Sequence, residues 1–260
     1  MVKRFLNSEH YFVKTLTLLI VFLTSVVLYA QQIEKPKLVV EYIFYDNLNY
    51  MEYDSRLIIG DSESIFETKF SKSDSKKTTL KGTVISIGGK LLDQYQYNHS
   101  IKDSLYSFES FNDEVYKVAE VSPKFNWNLN FSEVKQLNNY TCNKAKMQFR
   151  GRSYTAWYAP EIPYFIGPFK FSGLPGLILE IEDDTQTFKW SVTRLKFKNN
   201  NTFVIPYNSQ RIELYDYQKL SDEYIDKLRS RVRSVLPRGT EFTIPKDYRK
   251  GIEKVYEWEL

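Results

Sequence analysis

Between residues 38 and 197 the chain breaks into short segments in which apolar and polar side chains alternate. Leu38-Val39-Val40-Glu41-Tyr42-Ile43-Phe44-Tyr45 opens the series. Residues 56–59 and 64–68 flank a Gly60-Asp61 turn signal, and 80–87 stops at Gly88-Gly89. Segments 105–111 and 115–121 read as a hairpin around Asn112-Asp113. Segments 125–129, 141–149 and 153–158 continue the pattern, and 177–182 and 188–197 form a last hairpin turning at 183–186. Alternation with period two, in segments rich in aromatic and β-branched residues, predicts antiparallel strands. Residues 69–79 are polar and lysine-rich, a loop or a hairpin tip. The predicted fold is mainly β: a strongly curved antiparallel sheet or unclosed β-barrel, with one helix from the C-terminal half packed against it.

That helix is predicted over 221–236. Ser221 is a suitable N-cap, and Asp222 and Glu223 suit the positive end of the helix dipole. Ile225, Leu228, Val232 and Val235 recur at spacings of three and four and form one apolar stripe, and Pro237 stops the run. Lys227, Arg229, Arg231 and Arg233 cover the other face, read as solvated; an anionic surface is the alternative.

Upstream of the strands, Lys3, Arg4 and Lys14 precede the apolar stretch 15–29, which ends at Ala30. Basic residues, a short apolar run and a small residue are the order of a secretory signal peptide. Residues 1–30 are therefore expected to be a leader, and 31–260 one β-rich domain without a transmembrane segment once the leader is cut. Leu28 is large for its place before the cut, so a retained anchor is the alternative. The location expected is periplasmic or otherwise exported.

Charge and composition narrow the chemistry. Net charge is +4, and the leader holds three basic residues and one acid, which leaves +2 for 31–260. Such a balance gives no warrant for a nucleic-acid partner. Cys142 is the single cysteine, so no internal disulfide forms, and a buried small hydrophobe is the expected role. After the leader only His99 remains, in the polar run 97–100, read as a loop. A Cys/His metal cluster is thereby excluded, no nucleophile elbow accompanies His99, and no metal or cofactor is called for.

Of ten glycines and nine prolines, four of each fall between Gly151 and Gly176. Leu174-Pro175-Gly176-Leu177 fits a type II turn, with Gly176 at the positive-φ position. Leu177, Leu179 and Ile181 then share one face and Ile178, Glu180 and Glu182 the other. The hexapeptide Gly173-Leu174-Pro175-Gly176-Leu177-Ile178 resembles the signature of the GLPGLI family. Around it lie similar landmarks: Trp127, the run 140–145, Arg150-Gly151-Arg152, Ala156-Trp157-Tyr158, Ile162-Pro163 and residues 167–171. The resemblance covers 127–182; the ending Tyr256-Glu257-Trp258-Glu259-Leu260 departs from the acidic, Asn-Pro-containing terminus common in that family. It implies an exported protein of Gram-negative bacteria, often encoded near outer-membrane receptors, and no catalytic residues.

Arg150 and Arg152 flank Gly151 at a hairpin turn and are followed by Trp157 and Tyr158, so these four are the candidate ligand-binding residues. Arginine forks and aromatic faces together grip anionic or sugar-like groups. Alternation places Trp157 and Tyr158 on opposite faces, one toward a ligand and one toward the core. Loop 160–168 is too proline-rich for a central strand, and with turn 173–176 it is the expected rim of any cleft. Glu180, Glu182, Asp183 and Asp184 are read as a solvent-facing edge and turn; a carboxylate-based hydrolase using Glu180 or Asp183 is the alternative function. The expected function is a binding or accessory module for an apolar or anionic ligand, or for an outer-membrane receptor or other envelope protein.

Overall fold

The structure is a computed structural model that describes residues 37–70, 77–80, 83–86, 94–99, 103–111, 114–197, 209–235, 249 and 251–260. The expected leader lies outside these, as do the side chains of Leu228, Val232 and Val235.

Fourteen strands are described: β1 Leu38–Asp46, β2 Met51–Ile59, β3 Glu63–Lys69, β4 Lys77–Leu80, β5 Thr83–Ser86, β6 Gln94–His99, β7 Ser104–Phe111, β8 Glu114–Val121, β9 Val134–Leu137, β10 Tyr140–Phe149, β11 Arg152–Ala159, β12 Leu177–Asp183, β13 Phe188–Phe197 and β14 Gln210–Glu213. Twelve of them form one open sheet in the order β14-β8-β7-β6-β3-β2-β1-β13-β12-β11-β10-β9, and β4 and β5 form a separate hairpin. Every pairing in the large sheet is antiparallel except β14 with β8.

The sheet is strongly curved. Nine strand spacings separate β8 from β10, which a flat sheet would hold ~40 Å apart. Yet Glu120 of β8 pairs at 2.7 Å with Arg150, which follows β10 directly. The mainly β, unclosed architecture expected from periodicity is the one present, and among the described residues one α-helix, α1 Leu214–Val235, lies in the C-terminal half.

Several local expectations change: the strand expected over 80–87 is instead the hairpin of β4 and β5, which takes in 77–79. Residues 125–129 form no strand, only a bridge between Asn128 and Lys146. Residues 94–99 form β6, so His99 closes a strand opposite Ser104 rather than sitting in a loop. Finally α1 begins seven residues before Ser221, straight off β14. Leu214 is buried against Val118 and Tyr256, with Tyr217 beside it, so the apolar stripe runs back through 214 and 217 and carries the helix with it.

The main core fills the concave face. Leu38, Val40, Tyr42 and Phe44 of β1 meet Trp190 and Val192 of β13 and Leu177, Leu179 and Ile181 of β12, with Phe171 inserted from the preceding loop. Phe44 stacks on Trp190 at 4.6 Å between ring centres. Strand β12 is covered on both faces: residues 177–181 are all buried. Glu180 is therefore not solvent-facing, a correction with a specific cause, since Lys135, Lys189 and Ser191 close over it.

Candidate functional site

Loop 160–176 has little strand pairing and is held by its own backbone. Gly167 N donates to Phe171 O at 2.8 Å, Gly173 N to Phe165 O at 2.9 Å and Ile178 N to Ile166 O at 3.1 Å. Gly176 N donates to Leu174 O at 2.8 Å while Leu177 N reaches Ile162 O, so the turn is a three-residue γ-turn rather than type II. Gly176 has φ +152, and a Cβ there would collide with the Ala159 carbonyl. Glycine is required because the backbone of β11 lies against it, a tertiary contact that turn statistics do not carry.

One wall of a cleft of about 460 Å³ comes from this loop, through Tyr164, Phe165 and Gly173. The other walls are the β2–β3 turn with Asp61 and Glu63, and Lys124 after β8. Phe165 is 63% exposed, and Lys37 pairs with Asp61 at the side. The cleft joins an aromatic surface to carboxylates on a rigid rim, a composition suited to holding a ligand.

The two arginines sit elsewhere and are occupied. Arg150 and Gly151 are the central residues of a two-residue hairpin with φ +43 and +80, a type I′ geometry in which Phe149 pairs with Arg152. The Arg150 side chain is only 5% exposed. It binds Glu120 at 2.7 Å and Glu257 at 3.0 Å, and also pairs with Glu253. Burial disfavours its charge, but Glu253 and Glu120 outweigh that and raise its pKa. Lys170, buried beside it, pairs with Glu120 and with Glu253 at 3.1 Å, and its pKa is likewise raised against the effect of burial. The Glu120 carboxyl shows the converse: burial pushes it up, while Lys170 and Arg150 bring it below the ordinary carboxylate value.

Arg152 reaches Asp183 at 2.8 Å, both groups nearly inaccessible, and donates to Gly251 O at 2.9 and 3.0 Å. Asp183 in turn accepts from Phe188 N at 2.6 Å, which fixes the β12–β13 turn. Lys254 N donates to Arg150 O at 2.9 Å, and a Cβ on Gly151 would press on Val255 at 3.1 Å. Residues 251–260 thus lie across the β10–β11 hairpin.

Trp157 and Tyr158 divide as alternation requires: Tyr158 is buried and Trp157 half-exposed on the outer face. The ammonium groups of Lys135 and Lys144 stand 5.6 and 5.9 Å from the Trp157 rings. Cys142 is buried, and burial pushes its thiol up to about 11. It stays protonated at neutral pH. Among the described residues no His, Cys, Asp and Glu group is placed to hold a metal, and no helix is long and apolar enough to cross a membrane.

Residues 148–180 match a family model described as a protein of unknown function, Porph_ging. That stretch contains the Arg150-Gly151 turn, loop 160–168 and the Gly173–Ile178 hexapeptide. Two crystal structures of PNGF-II share the fold, with TM-scores of 0.52 and 0.51 at 13% and 12% identity. The alignments cover 71% of this chain but only 33% and 32% of those chains. No curated protein matches.

What sequence reasoning missed are the buried Lys170 and the partners Glu120, Glu253 and Glu257. Glu120 and Glu253 stand in no recognisable motif, and Lys170 and Glu257, within 167–171 and the ending 256–260, carry no sign of their pairing. Asn138-Asn139, with φ +47 and +69 between β9 and β10, did carry a signal, since paired asparagines favour a type I′ hairpin.

Proposed function

We propose that this chain is an exported envelope protein of the GLPGLI type that acts as a binding or accessory module. Its ligand or outer-membrane partner is received at the cleft between the β2–β3 turn and loop 163–173. The observation that carries this reading is Phe165, a large aromatic side chain 63% exposed on a loop whose backbone is locked by three hydrogen bonds. A ligand that covered this ring beside the cleft carboxylates would gain burial worth about 1.5–3 kcal/mol. Trp157, half-exposed beneath Lys135 and Lys144, offers a second contact. Arg150, Arg152 and Tyr158 are buried, so their part in this reading is to hold the scaffold and not to touch the ligand.

The carboxylate-hydrolase alternative draws no support from the geometry. Glu180 is held by Lys135, Lys189 and Ser191, and Asp183 by Arg152 and Phe188 N.

A photo-crosslinking amino acid replacing Phe165 in intact cells is expected to yield a discrete adduct, and the same probe at exposed Thr193 none. Equal labelling at both positions sinks the cleft. The export part is tested by intact mass and fractionation: the expected species begins at Gln31 in the soluble periplasmic fraction, and a full-length species in the membrane pellet defeats it.

A further inference from the structure

The cleft beneath loop 163–173 lies at one end of the curled sheet. Register sets its place: Glu63, His99, Ser104 and Val121 stand in line where β3, β6, β7 and β8 reach that end. Ser64 and Asn98 are paired in the next row, so their side chains share a face. That face is the concave one, because Phe66, two residues beyond Ser64, belongs to the main core. The polar groups here are therefore presented at the mouth of the sheet, where β-barrels receive their ligands. Loop 163–173 brings Phe165 to the same space, Asp61, Glu63 and Asp103 supply carboxylates, and Ser122 supplies a hydroxyl. That enclosed hydroxyl has no hydrogen-bond partner among the described residues, and a ligand hydroxyl would complete it.

Different ligand classes meet this wall differently. Carboxylates only accept hydrogen bonds, whereas hydroxyls and the Asn98 amide both donate and accept. An anionic group is repelled by the three carboxylates. A purely apolar ligand strips water from these groups and returns no hydrogen bonds, which is costly. A cation finds Asp61 held by Lys37, Glu63 hydrogen-bonded to Tyr97, and Lys124 in the same cleft. A ring with one apolar C–H face and hydroxyls around its edge satisfies the whole set. Its face covers Phe165, while its hydroxyls donate to the carboxylates and exchange hydrogen bonds with Asn98 and Ser122. We propose that the cleft binds a neutral saccharide, one ring stacked on Phe165 and its hydroxyls held by Glu63, Asp103 and Asn98. This inference rests on the reading of the cleft as the binding site. The volume of about 460 Å³ falls within the roughly 300–1,000 Å³ of small-molecule sites.

Binding of the full chain to an array of neutral oligosaccharides, built from glucose, galactose, mannose and N-acetylglucosamine, tests this. At least one is expected to be retained, with affinity unchanged between about 0.05 and about 0.5 M salt, since screening does not touch a neutral ligand. Phe165→Ala should weaken retention at least about tenfold, the loss of one covered aromatic face. Its melting temperature should stay unchanged, because the ring is exposed in the free protein. Asp103→Asn keeps a residue suited to the positive φ of 45 at that position and removes an acceptor, so retention should weaken about threefold. Thr193→Ala, outside the cleft, should change nothing. An array that retains no saccharide, retention that either cleft variant leaves intact, or capture of a lysine-rich peptide in place of the sugars overturns the inference. Its failure is distinguishable from that of the cleft itself. If no saccharide is retained while the photo-crosslinker at Phe165 still yields its adduct, the saccharide is wrong and the cleft stands. If neither appears, both fall.

Discussion

Two regions of this molecule are built on opposite terms. The hairpins from β10 to β13, with loop 160–176, are apolar, locally ordered and closely packed around Trp190, Phe171 and Tyr154. The ground between β7, β8, the Arg150-Gly151 turn and residues 251–260 is instead polar and charged, with Gln96, Ser107, Glu120, Arg150 and Lys170 drawn inward. The first region is stabilised by area removed from water, to which many residues contribute about 25 cal/mol per Å². In the second, each charge depends on a particular partner, so single losses are severe. The contrast teaches where the fold tolerates change and where it does not.

The sharpest test of that contrast lies at Arg152. Its guanidinium is enclosed with Asp183 and also carries the Gly251 carbonyl. Removing one partner leaves a buried charge without compensation, so Arg152→Ala is expected to destabilise by about 3–5 kcal/mol in denaturant unfolding. A change below about 1 kcal/mol would mean that water replaces the arginine, and that the charged region is as forgiving as the apolar one.

Within the apolar region the most sensitive point is backbone, not side chain. Gly176→Ala places a methyl against the Ala159 carbonyl at a φ that L-residues seldom adopt. Strain and overpacking together are expected to cost about 3 kcal/mol. Gly173→Ala at φ +85, with only Trp127 nearby at 3.9 Å, should cost about 1–2 kcal/mol. Equal melting shifts for the two variants would show that φ alone, and not the approach of β11, fixes the hexapeptide.

The same division explains how much of the fold was legible in the chain. Periodicity located β1, β7, β8, β10 to β13 and the turns at 150–151 and 183–186, because each is specified by neighbours in sequence. Strand β6 was hidden, since Gln94, Gln96 and Asn98 face inward where an apolar residue is the ordinary choice. The helix start was displaced because Leu214 and Tyr217 find their partners in Val118, Tyr116 and Tyr256, far away along the chain. At the candidate site, the alternation of Trp157 and Tyr158 was readable. The occupation of Arg150 and Arg152 was not, as their partners lie about 30 and about 100 residues away.

Glu180 gives the smallest effect and tests the boundary between the regions, being a charge set inside the apolar block. Burial alone would raise its pKa, but the hydrogen bond from Lys135 and the charges of Lys189 and Lys135 more than offset this and hold it below 4.5. Glu180→Gln keeps the shape and one acceptor, so the expected loss at neutral pH is about 1–2 kcal/mol, in the range of a hydrogen bond to a charged group. A carboxyl whose pKa is lowered by folding stabilises fully above its unfolded value and loses that contribution as pH falls through its folded one. The stability gap between parent protein and variant should therefore be constant above about pH 5, narrow below 4.5 and vanish once the native carboxyl is protonated. Urea unfolding at a series of pH values measures the gap directly. A gap absent at neutral pH would mean that Lys135 and Lys189, both about one-third exposed, contribute no more to Glu180 than solvent does. A gap that widens on acidification would show that the folded protein holds Glu180 protonated, and that the ion pairs do not overcome burial inside the apolar block.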